Sequence, residues 1–290
     1  MLAGAEQLLA AEQLKMADQD FRLFAEYIYS KCGIKLSPLK KTMLTSRLNR
    51  RLRRLGIATF HEYYEYVTSP EGERNELVYM IDEVSTNKTD FFREPEHFEV
   101  ITESILPEWE KRNRGRKFQI WSAGCSSGEE PYTMAMVLAD YAAAHAGFDF
   151  VVTATDISTK VLAIAQRGVY GDDRLITVAD HFKRKYLMKG QGKSAGHHKI
   201  VPELQEKIAF RRLNFLDDSF EVGKHPFDVI FCRNVIIYFD RQTQVGLFTK
   251  FFRHLVPGGC ICIGHSETMP GLEDKFVRVA PAVYKSTRTA

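Results

Sequence analysis

Up to about Ile81, apolar residues recur at helical spacing with few strand signals. Phe21, Phe24, Ile28 and Tyr29 fit one helix face, and Gly33 supplies a stop. In the next helix Ser37 is the expected N-cap, Pro38 suits the first helical position and Gly56 ends the run. At about 100° per residue, Leu44, Leu48, Leu52 and Leu55 form one apolar stripe. Lys40, Arg47, Arg50, Arg51 and Arg54 fall on a separate arc of the same helix, with no acidic residue among them. A further helical pair is expected around His61–Val67 and Glu73–Val84, and another helix near Glu96–Lys111.

From Phe118 onward, strands and helices alternate, as a parallel sheet with crossover helices requires. Phe118, Ile120 and Trp121 mark the first strand, Phe150–Thr155 the second and Phe227–Cys232 a fully apolar later one. Asp240 is placed to cap a helix carrying Val245, Phe248, Phe252 and Leu255, after which Val256–Gly259 turns the chain into a strand at Cys260–Ile263. Phe276–Val279 and Ala282–Lys285 are expected to close the fold as a hairpin. The stretch after Asp156 is too long for one crossover helix. Lys185–Met188, Lys199–Val201 and Lys207–Leu213, joined by a glycine-rich connection, predict a small antiparallel insert there. The expected fold is therefore α/β: a Rossmann-like sheet with a small all-α N-terminal domain and an antiparallel β insert. Domains are expected at 18–90 and 91–290, with the insert at about 184–213.

Composition narrows the class. A net charge of +3 over 290 residues does not by itself imply nucleic acid. Cys32, Cys125, Cys232, Cys260 and Cys262 are scattered and odd in number, which reads as reduced core thiols of a cytoplasmic protein. Cys260 and Cys262 alternate with isoleucines and should share one face of a strand. No secretory signal and no membrane-spanning run is expected, and the histidines lack metal-ligand spacing.

Chemistry concentrates at strand ends. Gly124, Ser126, Ser127 and Gly128 follow the first strand and allow a tight loop, and Pro131 suits the first turn of the next helix. Such a loop at the carboxyl edge of a parallel sheet is where α/β folds hold nucleoside-like ligands; the absence of a P-loop lysine favours one without a polyphosphate. Asp156 ends the second strand, where a carboxylate accepts hydrogen bonds from ribose hydroxyls. Read alone, Asn87, Thr89 and Arg93 are ordinary capping residues between two domains. A solvated face and an acidic partner surface both suit the basic arc.

Five stretches carry a resemblance: Thr86–Glu94, Ile120–Tyr132, Thr155–Ile157, Leu213–Phe215 and Phe231–Asp240. In this order they resemble the CheR-type chemotaxis receptor glutamate methyltransferases over nearly the whole chain. The resemblance implies S-adenosyl-L-methionine as cofactor, with S-adenosyl-L-homocysteine as product. It implies cofactor contacts from Asn87, Thr89, Arg93, the Glu129/Glu130 pair, Asp156, Asn214, Phe215, Arg233 and Asn234, with either glutamate of the pair open. It places Arg93 and Tyr238 as catalytic residues and implies no metal. The substrate it implies is a glutamate side chain of a chemoreceptor cytoplasmic signalling domain, docked on Lys40, Arg47, Arg50, Arg51 and Arg54. A receptor C-terminal tethering peptide at the β insert, a monomeric state, and no nucleic acid or membrane insertion complete the expectation. A nucleic-acid methyltransferase and a non-catalytic cofactor sensor are the alternative readings. The Arg233–Tyr238 sequence lacks the Pro-Pro-aromatic run usual in base-modifying enzymes.

Overall fold

The computed structural model describes residues 14–112, 115–269 and 271–289. The chain divides into two units between Thr86 and Asn87.

Among the described residues, the regular structure of the first unit is all helix. Helix α1 (Asp18–Cys32) buries Phe21, Phe24, Ile28 and Cys32, and ends where Gly33, at φ 74°, donates its N–H to the Tyr29 carbonyl at 2.8 Å. A 3-10 turn at Pro38–Lys40 leads into α2 (Lys41–Leu55). Ser37 precedes that turn but its side chain makes no cap bond. Leu44, Leu48 and Leu52 are fully buried, each worth roughly 1.5–3 kcal/mol. Leu55 lies at the rim, 38% exposed. Then come α3 (Phe60–Thr68), opened by a Thr59/Glu62 capping box, α4 (Pro70–Asn75) and α5 (Leu77–Val84). The expected second helix of this pair is split, because Glu76 leaves helical geometry and turns its carboxylate inward.

That inward turn corrects the basic arc. Arg51 is buried and donates through its Nε and Nη2 to the two oxygens of Glu76, at 2.7 and 2.6 Å, while Tyr63 Oη donates to the same carboxylate at 2.8 Å. Arg47 is half-buried and donates to the carbonyls of Val84 and Ser85 at 2.8 and 3.0 Å, satisfying the end of α5. Arg50 and Arg54 are exposed, Arg50 in a surface pair with Glu83, and Lys40 is half-buried. Helical periodicity placed all five on one side of α2, but a neighbouring helix covers part of that side.

The second unit begins with α6 (Glu96–Val100), a π-helical turn at Ile101–Ile105 and α7 (Leu106–Arg112). There follow β1 (Phe118–Ala123), α8 (Glu129–Ala144), β2 (Phe150–Asp156), α9 (Thr159–Arg167) and β3 (Val169–Gly171). The chain continues through α10 (Asp180–Tyr186), β4 (Leu187–Lys189), β5 (His197–Ile200), α11 (Pro202–Gln205) and β6 (Ile208–Arg212). It ends with β7 (Phe227–Cys232), α12 (Arg241–His254), β8 (Leu255–Ile263), β9 (Phe276–Ala280) and β10 (Val283–Ser286).

Seven strands form one sheet in the order β6-β2-β1-β7-β8-β10-β9, with the first five parallel and the closing hairpin antiparallel. The insert is a separate sheet of order β3-β5-β4. Its composition corrects the expectation: 207–213 is not part of it. Ile208–Arg212 instead pairs in parallel with β2 and forms the edge of the main sheet, with Phe210 packed near Tyr132 of α8. The third insert strand is Val169–Gly171, too short to show a period. Val256–Gly259 likewise lies inside β8 as a bulge, where the register jumps between Phe227 and Val229.

One side of the sheet packs Phe118, Ile120, Val152, Cys260 and Cys262 near α8; the other packs Trp121, Ile230, Ile261 and Ile263 with Phe248 and Phe251 of α12. The two cysteines do share a face, and all five cysteines are buried thiols. Register aligns the carboxyl ends: Ala123 lies opposite Thr155, Ser122 opposite Phe231 and Cys232 opposite Ile263. The loops after β1, β2, β7 and β8 therefore leave from one edge of the sheet.

Candidate active site at the carboxyl edge of the sheet

The loop after β1 is bound to the end of β2. Gly124 and Cys125 both donate their N–H groups to the Thr155 carbonyl, at 2.8 and 2.9 Å. Gly124 has φ 91°, and a Cβ there would stand 2.5 Å from Val235 Cγ2, so glycine is required twice over. Asp156 receives one amide on each oxygen, from Ser126 at 2.8 Å and from Ser158 at 2.9 Å. Those bonds hold its carboxylate in a fixed orientation at the strand tip, 8% exposed.

The segment 87–94 belongs to this second unit, four residues before the expected boundary, because its backbone is bonded there throughout. Ser126 Oγ donates to the Asn87 carbonyl at 3.0 Å, Arg174 to that of Thr89 at 3.1 Å and Thr177 to that of Phe91 at 2.7 Å. The Phe92 amide donates to Thr133 Oγ1 at 3.1 Å, and Arg233 donates to the Arg93 carbonyl at 2.7 Å. Phe92 and Glu94 both have positive φ, as do Ser126 and Asn234. Such conformations cost energy in non-glycine residues and tend to cluster at functional sites.

Both glutamates at the start of α8 are buried and internally paired. Glu129 accepts from Ser127 Oγ at 2.7 Å and pairs with Arg174; burial pushes its carboxyl above the ordinary value, against the lowering effect of Ser127 and Arg174. Glu130 accepts from Ser122 Oγ at 2.6 Å and from Arg233 Nε at 2.8 Å. The Arg233 side chain is only 2% exposed. Besides Glu130 and the Arg93 carbonyl, it meets His97 Nδ1 at 3.1 Å. Arg233 is thus placed as the internal brace of the site.

Asn214 and Phe215 follow β6 and are half-buried. Asn214 Oδ1 accepts the Leu216 amide at 3.1 Å, and Lys250 of α12 donates to the Phe215 carbonyl at 3.1 Å. The Phe215 ring packs among Phe220, Phe239 and Phe251. Asn234 leaves β7 at φ 59°. Tyr238, half-buried, ends a 3-10 turn at Ile236–Tyr238 that Gln244 braces through the Ile236 and Phe239 carbonyls, at 2.9 and 3.1 Å.

Arg174, His97 and Glu267 went unnoticed in the sequence. They stand far along the chain from the motifs they support, and no local spacing marks them. Glu94, His97 and His265 bring ligand-type atoms within 4.8 Å of one another. The Arg233 guanidinium, 3.1 Å from His97 Nδ1 and 3.6 Å from Glu94 Oε2, already supplies a fixed positive charge there and would repel a divalent cation.

Residues 19–85 match the family model described as CheR methyltransferase, all-alpha domain, and residues 87–284 match CheR methyltransferase, SAM binding domain. A chemotaxis protein methyltransferase of Borreliella burgdorferi is 40% identical over 262 residues, 89% of this chain and 90% of that protein. One from Escherichia coli K12 is 37% identical over 277 residues, 96% of this chain and 94% of that protein. A probable chemotaxis protein methyltransferase of Rhizobium etli is 39% identical over 264 residues, 90% and 97% of the two chains. The chain belongs to the CheR methyltransferase family, as an S-adenosylmethionine-dependent methyltransferase.

Proposed function

We propose that this chain methylates glutamate side chains in chemoreceptor cytoplasmic domains, giving glutamyl methyl esters for chemotactic adaptation. The observation that carries the reading is the attachment of the 87–94 backbone to the loops after β1 and β7 through Ser126 and Arg233, and to Arg174 and Thr177 between β3 and α10, in a chain matched along its length by chemotaxis methyltransferases.

The donor set suits S-adenosylmethionine in kind. A fixed carboxylate at Asp156 is the partner that vicinal ribose hydroxyls require. Asn214 and Phe215 offer polar and aromatic contacts for the adenine, and Asn87, Thr89, Arg93 and Asn234 supply the remaining polar contacts. When bound, the cofactor supplies a methyl group activated by a sulfonium centre. Arg233 is assigned a supporting role, because its side chain is 2% exposed and engaged with Glu130 and the Arg93 carbonyl. The Glu129/Glu130 pair, engaged within the protein as Asp156 is, keeps the cofactor contact that the resemblance implies.

A substrate glutamate, with an ordinary pKa of about 4.3, is already ionised at neutral pH. The enzyme's task is alignment, not proton removal. Arg93 positions the carboxylate and Tyr238 flanks the reacting atoms. Because the nucleophile loses its charge in the reaction, a cation that held it too tightly would slow the step. Arg50 and Arg54, with Lys40 at the opposite end of the helix, form the docking face of α2 for acidic receptor helices. The insert edge at β4 receives a receptor C-terminal tethering peptide by strand addition. The protein acts as a cytoplasmic monomer; no described helix is long and apolar enough to cross a membrane.

The test is incubation with methyl-labelled cofactor and a receptor cytoplasmic fragment, followed by mild alkali. Label released as volatile methanol is expected. Alkali-stable label on RNA, or no transfer to either substrate, overturns the reading.

A further inference from the structure

The loop Arg233–Tyr238 carries two of the proposed site residues, yet its first turn is held from outside itself. Asn234 sits at φ 59°, in the left-handed region that asparagine enters more readily than most non-glycine residues. Its amide donates to Glu267 Oε2 at 2.9 Å. The same oxygen accepts the Gly264 amide at 2.7 Å, and the Glu267 amide closes the turn by donating to the Gly264 carbonyl at 2.9 Å. Glu267 is 6% exposed; Oε2 takes both amides, and Oε1 is buried with no hydrogen-bond partner among the described residues. The space beside Gly264 is filled: a Cβ there would stand 2.6 Å from Asn234 Nδ2, 2.9 Å from Glu267 Oε2 and 3.1 Å from the Asn234 backbone nitrogen.

One carboxylate thus joins the exits of two adjacent parallel strands, β7 and β8, whose ends are paired at Cys232 and Ile263. An acceptor shared by two amides is the feature that can hold a left-handed residue against relaxation.

We propose that Glu267 is a positioning residue for methyl transfer: through the Asn234 and Gly264 amides it holds the 234–238 loop in the geometry that presents Asn234 to cofactor and Tyr238 to the reacting atoms. The proposal rests on the methyltransferase reading above. It predicts that the backbone acceptor matters and the negative charge does not, since glutamine keeps a carbonyl oxygen for the same two amides and alanine keeps none.

The test compares Glu267→Ala, Glu267→Gln and wild type in the full chain. Three quantities are read: S-adenosylhomocysteine affinity by calorimetry, kcat and KM for methylation of a receptor fragment, and Tm. At a temperature where all three proteins are folded, Glu267→Ala should bind the product roughly tenfold more weakly and lose about tenfold or more in kcat/KM. Glu267→Gln should stay within about threefold of wild type in both. A folded alanine variant with wild-type affinity and kinetics overturns the proposal, whatever its Tm. So does a glutamine variant as impaired as alanine, because the charge would then be what matters. If the alanine variant does not fold, Gly264→Ala replaces it, and unchanged affinity and kinetics there count equally against the role. Failure of wild type to methylate the receptor fragment would remove the receptor reading, while the product-affinity comparison would still decide the role of Glu267.

Discussion

At the scale of single residues, the site is built by buried polar groups that each do one geometric task. His97 is an instructive case. Burial, and then the charge of Arg233, pushes its imidazole down to about 3 from an ordinary 6.5. The folded protein keeps His97 neutral, whereas the unfolded chain takes up a proton below about 6.5. The stability this confers is full above that value and is lost as pH falls from 6.5 toward 3. His97→Asn keeps an acceptor for Arg233 but cannot titrate. Its denaturant-derived stability should therefore fall less steeply than wild type between pH 6 and 4, by up to about 1.4 kcal/mol per pH unit. Parallel slopes for the two proteins would show that His97 is not the titrating group.

At the scale of elements, helix α2 shows how one basic arc divides into buried and exposed side chains. Arg51 is an internal ion-pair residue, bound through two hydrogen bonds to Glu76 and lying over the Tyr79 ring at 4.7 Å. Removing one partner of a buried pair leaves the other uncompensated. Arg51→Ala should cost the first unit about 3–5 kcal/mol, read by urea titration of the full chain. Loss of less than about 1 kcal/mol would place the pair effectively in solvent. The two arginines of the α2 arc that stay exposed, Arg50 and Arg54, are the ones to alter when docking is the question.

For the whole molecule, that distinction gives the proposed docking role of Arg50 and Arg54 its test. Reversing charge at Arg50 and Arg54 together should raise KM for a receptor fragment several-fold, roughly, and flatten its salt dependence. Product affinity and Tm should stay near wild type, since both side chains lie on the surface. Equal loss of receptor methylation and of product binding would instead mean that the pair supports the fold.

Much of this protein was legible in order along the chain. The helical first unit, the strand–loop–helix at Phe118–Tyr132, the acid ending β2, the cap at Asp240 and the closing hairpin are local patterns, set by periodicity and turn chemistry over a few residues. What local pattern does not carry is which strand pairs with which, and what covers a face. Ile208–Arg212 looked like part of the insert because a short strand has the same alternation wherever it pairs; only packing near α8 assigns it to the main sheet. Arg51 looked like its exposed neighbours because a helix does not know what lies beside it until Glu76 arrives from another helix. The same holds at the site. Sequence determined the residue types at the strand ends, and with them the family chemistry. Tertiary structure alone decided that Glu129, Glu130 and Arg233 turn inward, and that Arg174, His97 and Glu267 come from far along the chain to hold the rest. Their partners are non-local, and a buried charge or a left-handed residue is stable only where the fold supplies its counterpart.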